Sequence, residues 1–252
     1  MVYFIGAGPG AVDLITVRGC ELLKKADVVI YAGSLVNPEL LSYTKTGCKI
    51  YNSASMTLEE VVEVIVKFDA QDKIVVRLHT GDPSIYGAIR EQMDLLDKNN
   101  IEYCVVPGVS SFCGAASVLN AEYTLPDISQ TVVLSRMEGR TPVPPDEDIV
   151  KLASHKASMV LFLTSSMIEP LSKKLVEGGY KAETPAAIVY KATWPDQKII
   201  RTTVENLHKS AMENNISKTA LILVGDFLSC EYGRSKLYDS SFTHEFRKAK
   251  QE

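Results

Sequence analysis

Two segments decide the fold: VYFIGAGPG at residues 2–10 and IVVRLHTGDPSIYG at residues 74–87. In each, a short run of apolar residues reads as a buried strand and ends in a glycine-rich loop, where the missing Cβ lets backbone approach a ligand or another loop closely. A third strand ends the same way, in VPGVSS at 106–111. Ligands bind open α/β sheets at the carboxyl ends of their strands, so three such loops in one half of the chain predict a single small-molecule site.

The alternation continues outward. Helices are expected at 17–25, 58–68, 85–98 and from Ser110 and Ser111 to about 119, between strands at 2–5, 28–31, 74–78 and 103–106. This order implies parallel strands with right-handed crossovers. Thr16 and Thr57 each precede an apolar-periodic run and read as N-caps. The second half carries strands at 131–135, 159–163, 186–191, 198–202 and 219–224, with a helix at about 146–152 after a charged, Pro-rich loop. Short links between several of these favour a mixed sheet with antiparallel pairs. The expected organisation is two α/β domains: 1–125 around a mostly parallel sheet, 126–240 around a mixed one, and a basic, frayed tail at 241–252.

The residues first disfavour a dinucleotide. Pro9 removes a backbone donor directly after Gly8, and the strand at 28–31 ends in Ala32 and Gly33 where a ribose-binding acid would stand. The phosphate loop G-x-x-x-x-G-K-[ST] is also missing from the sequence. At 252 residues, a formal charge of −4 and no apolar run of about 18 residues, neither nucleic acid nor a membrane is an expected partner. The N-terminus enters a strand at once, and a cytoplasmic location is expected. Five scattered cysteines show no C-x-x-C and no pairing with the four histidines at zinc spacing and read as reduced, buried thiols, so no metal is expected.

Asp82 follows Gly81 at a strand end and is open to two readings. Its carboxylate can accept from an ammonium or hydroxyl of a ligand, or it can cap a helix starting near Ser84. His79 reads as structural, and Trp194 as packing or as part of a site wall.

The set GAGPG, GDPSIYG, PGVSS, SRMEGRTPVP (135–144) and TPAAIVYKATWPDQ (184–197) resembles the tetrapyrrole methylase family across nearly the whole chain. Two segments, YAGSLV (31–36) and SRMEGRTPVP, are similar to the branch that methylates C-11 of a cobalamin precursor. The resemblance implies an S-adenosyl-L-methionine-dependent methyltransferase, releasing S-adenosyl-L-homocysteine. It further implies a two-domain homodimer with its active site in a trough between the domains, and a tetrapyrrole substrate. By the same resemblance, cofactor contacts fall on Pro9, Thr80, Gly81, Asp82, Ile85, Ser110, Ser111, Leu163, Ala192 and Ala220. Substrate contacts fall on Gly8, Ser34, Arg136 and Arg140, because a ring bearing several carboxylates calls for guanidinium groups. Arg77 and Arg90 are expected behind them.

One departure narrows the expected activity. Uroporphyrinogen methylases resemble VLYD at the end of the second strand, with the Asp as proton acceptor, whereas this chain reads VIYA and has Ala32. A methyl group accepts no proton, so the uroporphyrinogen activity is disfavoured and the general base is unassigned. Tyr31, Glu138 and Arg136 are the catalytic candidates, with Glu138 able to orient Arg136.

Overall fold

The computed structural model describes residues 1–249; positions 250–252 of the expected tail lie outside the described residues. The chain packs into two units, Met1–Val118 with Lys191–Gln197, and Leu119–Tyr190 with Lys198–Glu252. The first division falls at Val118/Leu119, and the transfer of Lys191–Gln197 to the first unit has no local sequence signal.

The first unit is built from β1 (Val2–Gly6), α1 (Val17–Lys25), β2 (Val28–Tyr31), β3 (Lys49–Asn52), α2 (Leu58–Asp69), β4 (Val75–His79), α3 (Arg90–Lys98), β5 (Tyr103–Val106) and α4 (Ser111–Leu119). Its five strands are all parallel, in the order β3-β2-β4-β1-β5. Side chains alternate across this sheet. Phe4, Val28, Ile30 and Val75 pack with Val61 and Ile65 of α2 and Leu96 of α3 on one face. Ile5, Val29, Val76 and Leu78 pack with Leu23 of α1 on the other.

Local signals hold well here. Thr16 Oγ1 accepts from Gly19 N at 3.1 Å, and Thr57 with Glu60 forms a reciprocal capping box. The exception is the helix expected from 85, which begins only at Arg90. Tyr86 (φ 54°) and Ala88 (φ 49°) occupy the left-handed region and break any continuous helix. The edge strand β3 is largely exposed and has no apolar alternation, so the sequence does not announce it.

In the second unit, β6 (Val132–Arg136), α5 (Ile149–Ala153), β7 (Ser158–Phe162), α6 (Ile168–Glu177), β8 (Pro185–Tyr190), β9 (Lys198–Thr203), α7 (Leu207–Glu213) and β10 (Ala220–Val224) form a mixed sheet with three helices. Its order is β6-β7-β10-β8-β9, with only β6 and β7 parallel. Met159, Leu161, Ile188 and Ile222 pack against Ala153, Leu171, Leu175 and Leu207 of the helices. α6 shows a readable Ile168, Leu171, Leu175 spacing, hidden by Pro170 in its first turn, where proline is tolerated. The tail is not frayed over its described residues, since the Arg247 guanidinium donates to the Leu237 carbonyl at 2.9 Å and the Asp239 carbonyl at 2.6 Å.

Candidate active site

β1 and β4 are neighbours, yet the helices that follow them, α1 and α3, pack on opposite faces of the sheet. Adjacent strands whose crossovers diverge open a crevice at their carboxyl ends, and GAGPG and TGDP leave from those two ends. The loops are joined there by backbone. Ala7 N donates to His79 O at 2.7 Å, Gly81 N to Gly8 O at 2.8 Å, and Gly8 N to Gly81 O at 3.3 Å. The PGVSS loop closes in from β5. A Cβ on Gly108 would lie 2.2 Å from the Gly81 carbonyl oxygen, and one on Gly6 would lie 2.5 Å from Gly108 Cα. The glycines therefore let three loops pack backbone to backbone, and the left-handed φ of Gly8 (80°) and Gly81 (59°) turns two of them.

Asp82 staples this arrangement. Its Oδ2 accepts from Gly108 N at 2.9 Å, and its Oδ1 accepts from Ser84 N at 2.8 Å and from the Ser84 hydroxyl. The Ser84 segment is a turn, so Asp82 caps no helix there. Burial acts to raise its carboxyl pKa, but these hydrogen bonds outweigh burial and hold it below the ordinary value. A depressed carboxyl stabilises the fold above its unfolded pKa of 3.8 and loses that contribution as pH falls through the lower folded value. Asp82→Ala is thus expected to cost ~1–2 kcal/mol at pH 7, the range for a partly solvated charged hydrogen bond. Thermal denaturation of variant and parent should differ at pH 7 and converge as pH falls through the depressed folded value. Equal stability at pH 7 would show that the staple contributes nothing.

The other expected cofactor residues of the first unit gather on the same edge. Pro9 is buried with its ring against Gly114 of α4, where a Cβ would sit 2.7 Å from Pro9 Cβ and 3.7 Å from Ala192 Cβ. Ser110 is buried, Ser111 opens α4, and Thr80 and Ile85 flank the Asp82 turn. Leu163 and Ala220 belong to the second unit, following β7 and opening β10, which are paired neighbours. Leu163 is 63% exposed at φ 52°, an outward-facing leucine held in a strained conformation.

A family model described as Tetrapyrrole (Corrin/Porphyrin) Methylases matches residues 1–208. The chain belongs to this family. It is 53% identical over 98% of its length to a cobalt-precorrin-4 C(11)-methyltransferase of Methanocaldococcus jannaschii, covering 96% of that protein. A precorrin-4 C(11)-methyltransferase of Mycobacterium tuberculosis (strain H37Rv) is 45% identical, with 91% of this chain and 92% of that protein covered. A uroporphyrinogen-III C-methyltransferase of Bacillus subtilis is 30% identical, over 92% of each. Among solved structures, a cobalt precorrin-4 methyltransferase superposes with a TM-score of 0.89 at 48% identity, covering 91% of this chain and 96% of that one.

Several charged residues of this methylase are placed otherwise than the sequence suggests. Arg77 does not stand behind a substrate site: it is buried, with Nε donating to Gln92 Oε1 at 3.1 Å and an Nη donating to Ile30 O at 3.1 Å. Burial pulls its pKa down to about 10, which leaves it charged at neutral pH. Arg90 pairs with Asp94 on its own helix. Arg136 turns its guanidinium into its own loop, donating to the carbonyls of Met137 (3.3 Å), Thr141 (3.2 Å) and Pro142 (2.7 Å). Glu138 is exposed and is not the group that orients Arg136. Arg140 is exposed, with no hydrogen bond or ion pair among the described residues. The Ser34 side chain lies outside the described residues.

Tyr31 ends β2 half-buried, and its carbonyl accepts from Ser53 Oγ at 3.1 Å. The cysteines also depart from expectation. Cys104, Cys113 and Cys230 are exposed and Cys20 and Cys48 half-buried, so these are not core thiols. Burial nonetheless raises the thiols of Cys48, Cys113 and Cys230, which disfavours a thiolate nucleophile. No cluster of metal-binding side chains occurs among the described residues.

Asn37 is a polar residue to which none of the loop motifs points. Its buried amide donates to Gly10 O at 2.9 Å and its Oδ1 accepts from Glu39 N at 3.0 Å, so one side chain ties the GAGPG loop to the turn after YAGSLV. The Asn37-Pro38 pair was the available signal, marking a turn.

Proposed function

We propose that this chain transfers a methyl group from S-adenosyl-L-methionine to C-11 of cobalt-precorrin-4 (or precorrin-4), a step of cobalamin biosynthesis. The observation that carries the reading is the full-length likeness at 53% to a methyltransferase named for that reaction. The two relatives named for the cobalt-containing substrate, at 53% and 49%, precede those named for the metal-free one, at 45% or less, which favours the cobalt form. A uroporphyrinogen activity is less well supported, by the 30% identity and by Ala32 at the end of β2.

The residues of the first unit suit the cofactor chemically. Hydroxyls of Thr80, Ser110 and Ser111 and the loop backbone offer neutral hydrogen bonds for its amino-acid and adenosine ends, while Pro9, Ile85 and Ala192 offer apolar contact. We assign the cofactor to these residues with Gly81 and Asp82, and extend the set to Leu163 and Ala220. When bound, the sulfonium supplies an electrophilic methyl, which an electron-rich ring carbon takes with its own electron pair as the S–CH3 bond breaks. The protein's part is to hold the reactants in line and exclude water, which is worth on the order of 7–11 kcal/mol in well-oriented reactions. Asp82 serves this by fixing two of the loops together. Gly8, Ser34, Arg136 and Arg140 are assigned to the tetrapyrrole: Arg140 is the guanidinium open to its carboxylates, and Arg136, held by the carbonyls of its own loop, shapes that loop. Of Tyr31, Glu138 and Arg136, Arg136 is set aside as proton acceptor because a guanidinium offers only N–H donors.

The reading includes a cytoplasmic homodimer, supported by the family resemblance; no helix among the described residues is long and apolar enough to cross a membrane. Titration calorimetry should show S-adenosyl-L-homocysteine binding and no NAD or ATP binding. Incubation with precorrin-4, with and without cobalt, and a carbon-13-labelled methyl donor should give a new methyl signal at C-11. A methyl at another ring carbon would refute the assignment.

A further inference from the structure

The chain has one tryptophan, Trp194, in the Lys191–Gln197 segment that joins β8 to β9 and folds with the first unit. This segment is strained and tightly tied. Lys191 (φ 46°) and Thr193 (φ 70°) both sit in the left-handed region. Trp194 N donates to Lys191 O at 3.0 Å, Thr193 N donates to Gln197 Oε1 at 2.9 Å, and Lys191 Nζ pairs with Asp196 at 2.7 Å while lying 5.2 Å from the indole centre.

The strained turn presents two side chains to GAGPG. Trp194 Nε1 donates to Pro9 O at 3.0 Å, and Thr193 Oγ1 accepts from Ala11 N at 3.0 Å. Between them Gly10 lies against the indole, where a Cβ would come within 2.1 Å of Trp194 Cδ1. Pro9, Gly10 and Ala11 are thus all held by this one segment, with Asn37 taking the Gly10 carbonyl. Strain persists only where surrounding contacts over-determine it, and here those contacts end on the loop that carries Pro9 and Gly8.

We infer that Trp194 is a positioning residue for the GAGPG loop: by clamping the Pro9 carbonyl and seating on Gly10 it sets the loop shape that cofactor binding requires, and its indole senses occupancy. This rests on the proposed placement of the cofactor at Pro9. As the only tryptophan, Trp194 reports directly on the loop.

The test uses S-adenosyl-L-homocysteine with the full chain. Indole emission should change on titration, saturating at the calorimetric Kd. Trp194→Phe keeps a ring over Gly10 but has no donor for Pro9 O. It should melt within a few degrees of the parent, the cost of one neutral hydrogen bond, and bind about fivefold more weakly because the loop is no longer held in its binding shape. Trp194→Ala, which loses the ring as well, should bind more weakly still, so that Phe rescues stability but not affinity. If the parent binds the ligand without an emission change, or Trp194→Phe binds as tightly as the parent, the positioning role is wrong while the cofactor assignment stands. If the parent binds no S-adenosyl-L-homocysteine at all, the proposed function falls and this inference with it.

Discussion

Gly108→Ala is expected to destabilise the protein by about 3 kcal/mol, the upper end of what overpacking costs, and to lower its melting temperature by roughly 10 °C. The added Cβ would meet the Gly81 carbonyl oxygen at 2.2 Å and Gly6 Cα at 2.7 Å. Both neighbours are backbone at the ends of β4 and β1, so no side chain can swing aside. Relief requires the three loops to separate, which would also break the Asp82 bond to Gly108 N. Gly47→Ala is the control: its Cβ would meet nothing within 4 Å, and the substitution carries only the strain of a φ of 84°, about 1 kcal/mol. Calorimetric unfolding of the two variants beside the parent reads the difference. A Gly108→Ala protein as stable as the parent would mean that the loops do not depend on this close packing.

His79 is expected to make the protein acid-sensitive well above the carboxylate range. It is 3% exposed, its Nε2 has no hydrogen-bond partner among the described residues, and burial, followed by the charge of Arg77, lowers its pKa to about 3. The unfolded chain takes a proton on this imidazole near 6.5, while the folded one refuses it until about pH 3. Stability due to neutral His79 is therefore complete above 6.5 and falls as pH drops from there toward 3. Between pH 7.5 and pH 5 the loss is about 2 kcal/mol, from 1.36 kcal/mol per pH unit. His79→Leu removes both the titration and the unpartnered nitrogen, so denaturant unfolding of this variant should lose that share of the pH slope. Proton NMR of the four imidazoles should show one that does not titrate down to pH 5. An unchanged slope in His79→Leu, with the His79 imidazole titrating near 6.5 in the parent, would overturn this account of the buried ring.

The parallel first sheet, the mixed second sheet and both N-caps were legible because each depends on short-range signals: apolar runs, glycine after a strand, a hydroxyl before an amphipathic helix. The family was legible too, from loop motifs that lie at strand ends. β3 was hidden because an exposed edge strand needs no apolar alternation, and α3 started late because Tyr86 and Ala88 adopt positive φ for which neither residue is a sign.

The amino-acid sequence by itself determined that three glycine loops share one sheet edge, that Pro9 and Ala32 break the dinucleotide fingerprint, and that the chain resembles the methylases. Only the tertiary structure decided how the polar residues of those motifs are used. Arg77 and Arg136 both look like carboxylate ligands in the sequence, yet one is buried on a glutamine and a carbonyl and the other is folded into its own loop. Trp194 reaches Pro9 across 185 positions, and Asp82 reaches Gly108 across 26. The physical reason is range. Strand and turn preferences act over a few residues, whereas the choice of partner for a guanidinium, a carboxylate or an indole depends on which distant backbone groups the fold brings within about 3 Å.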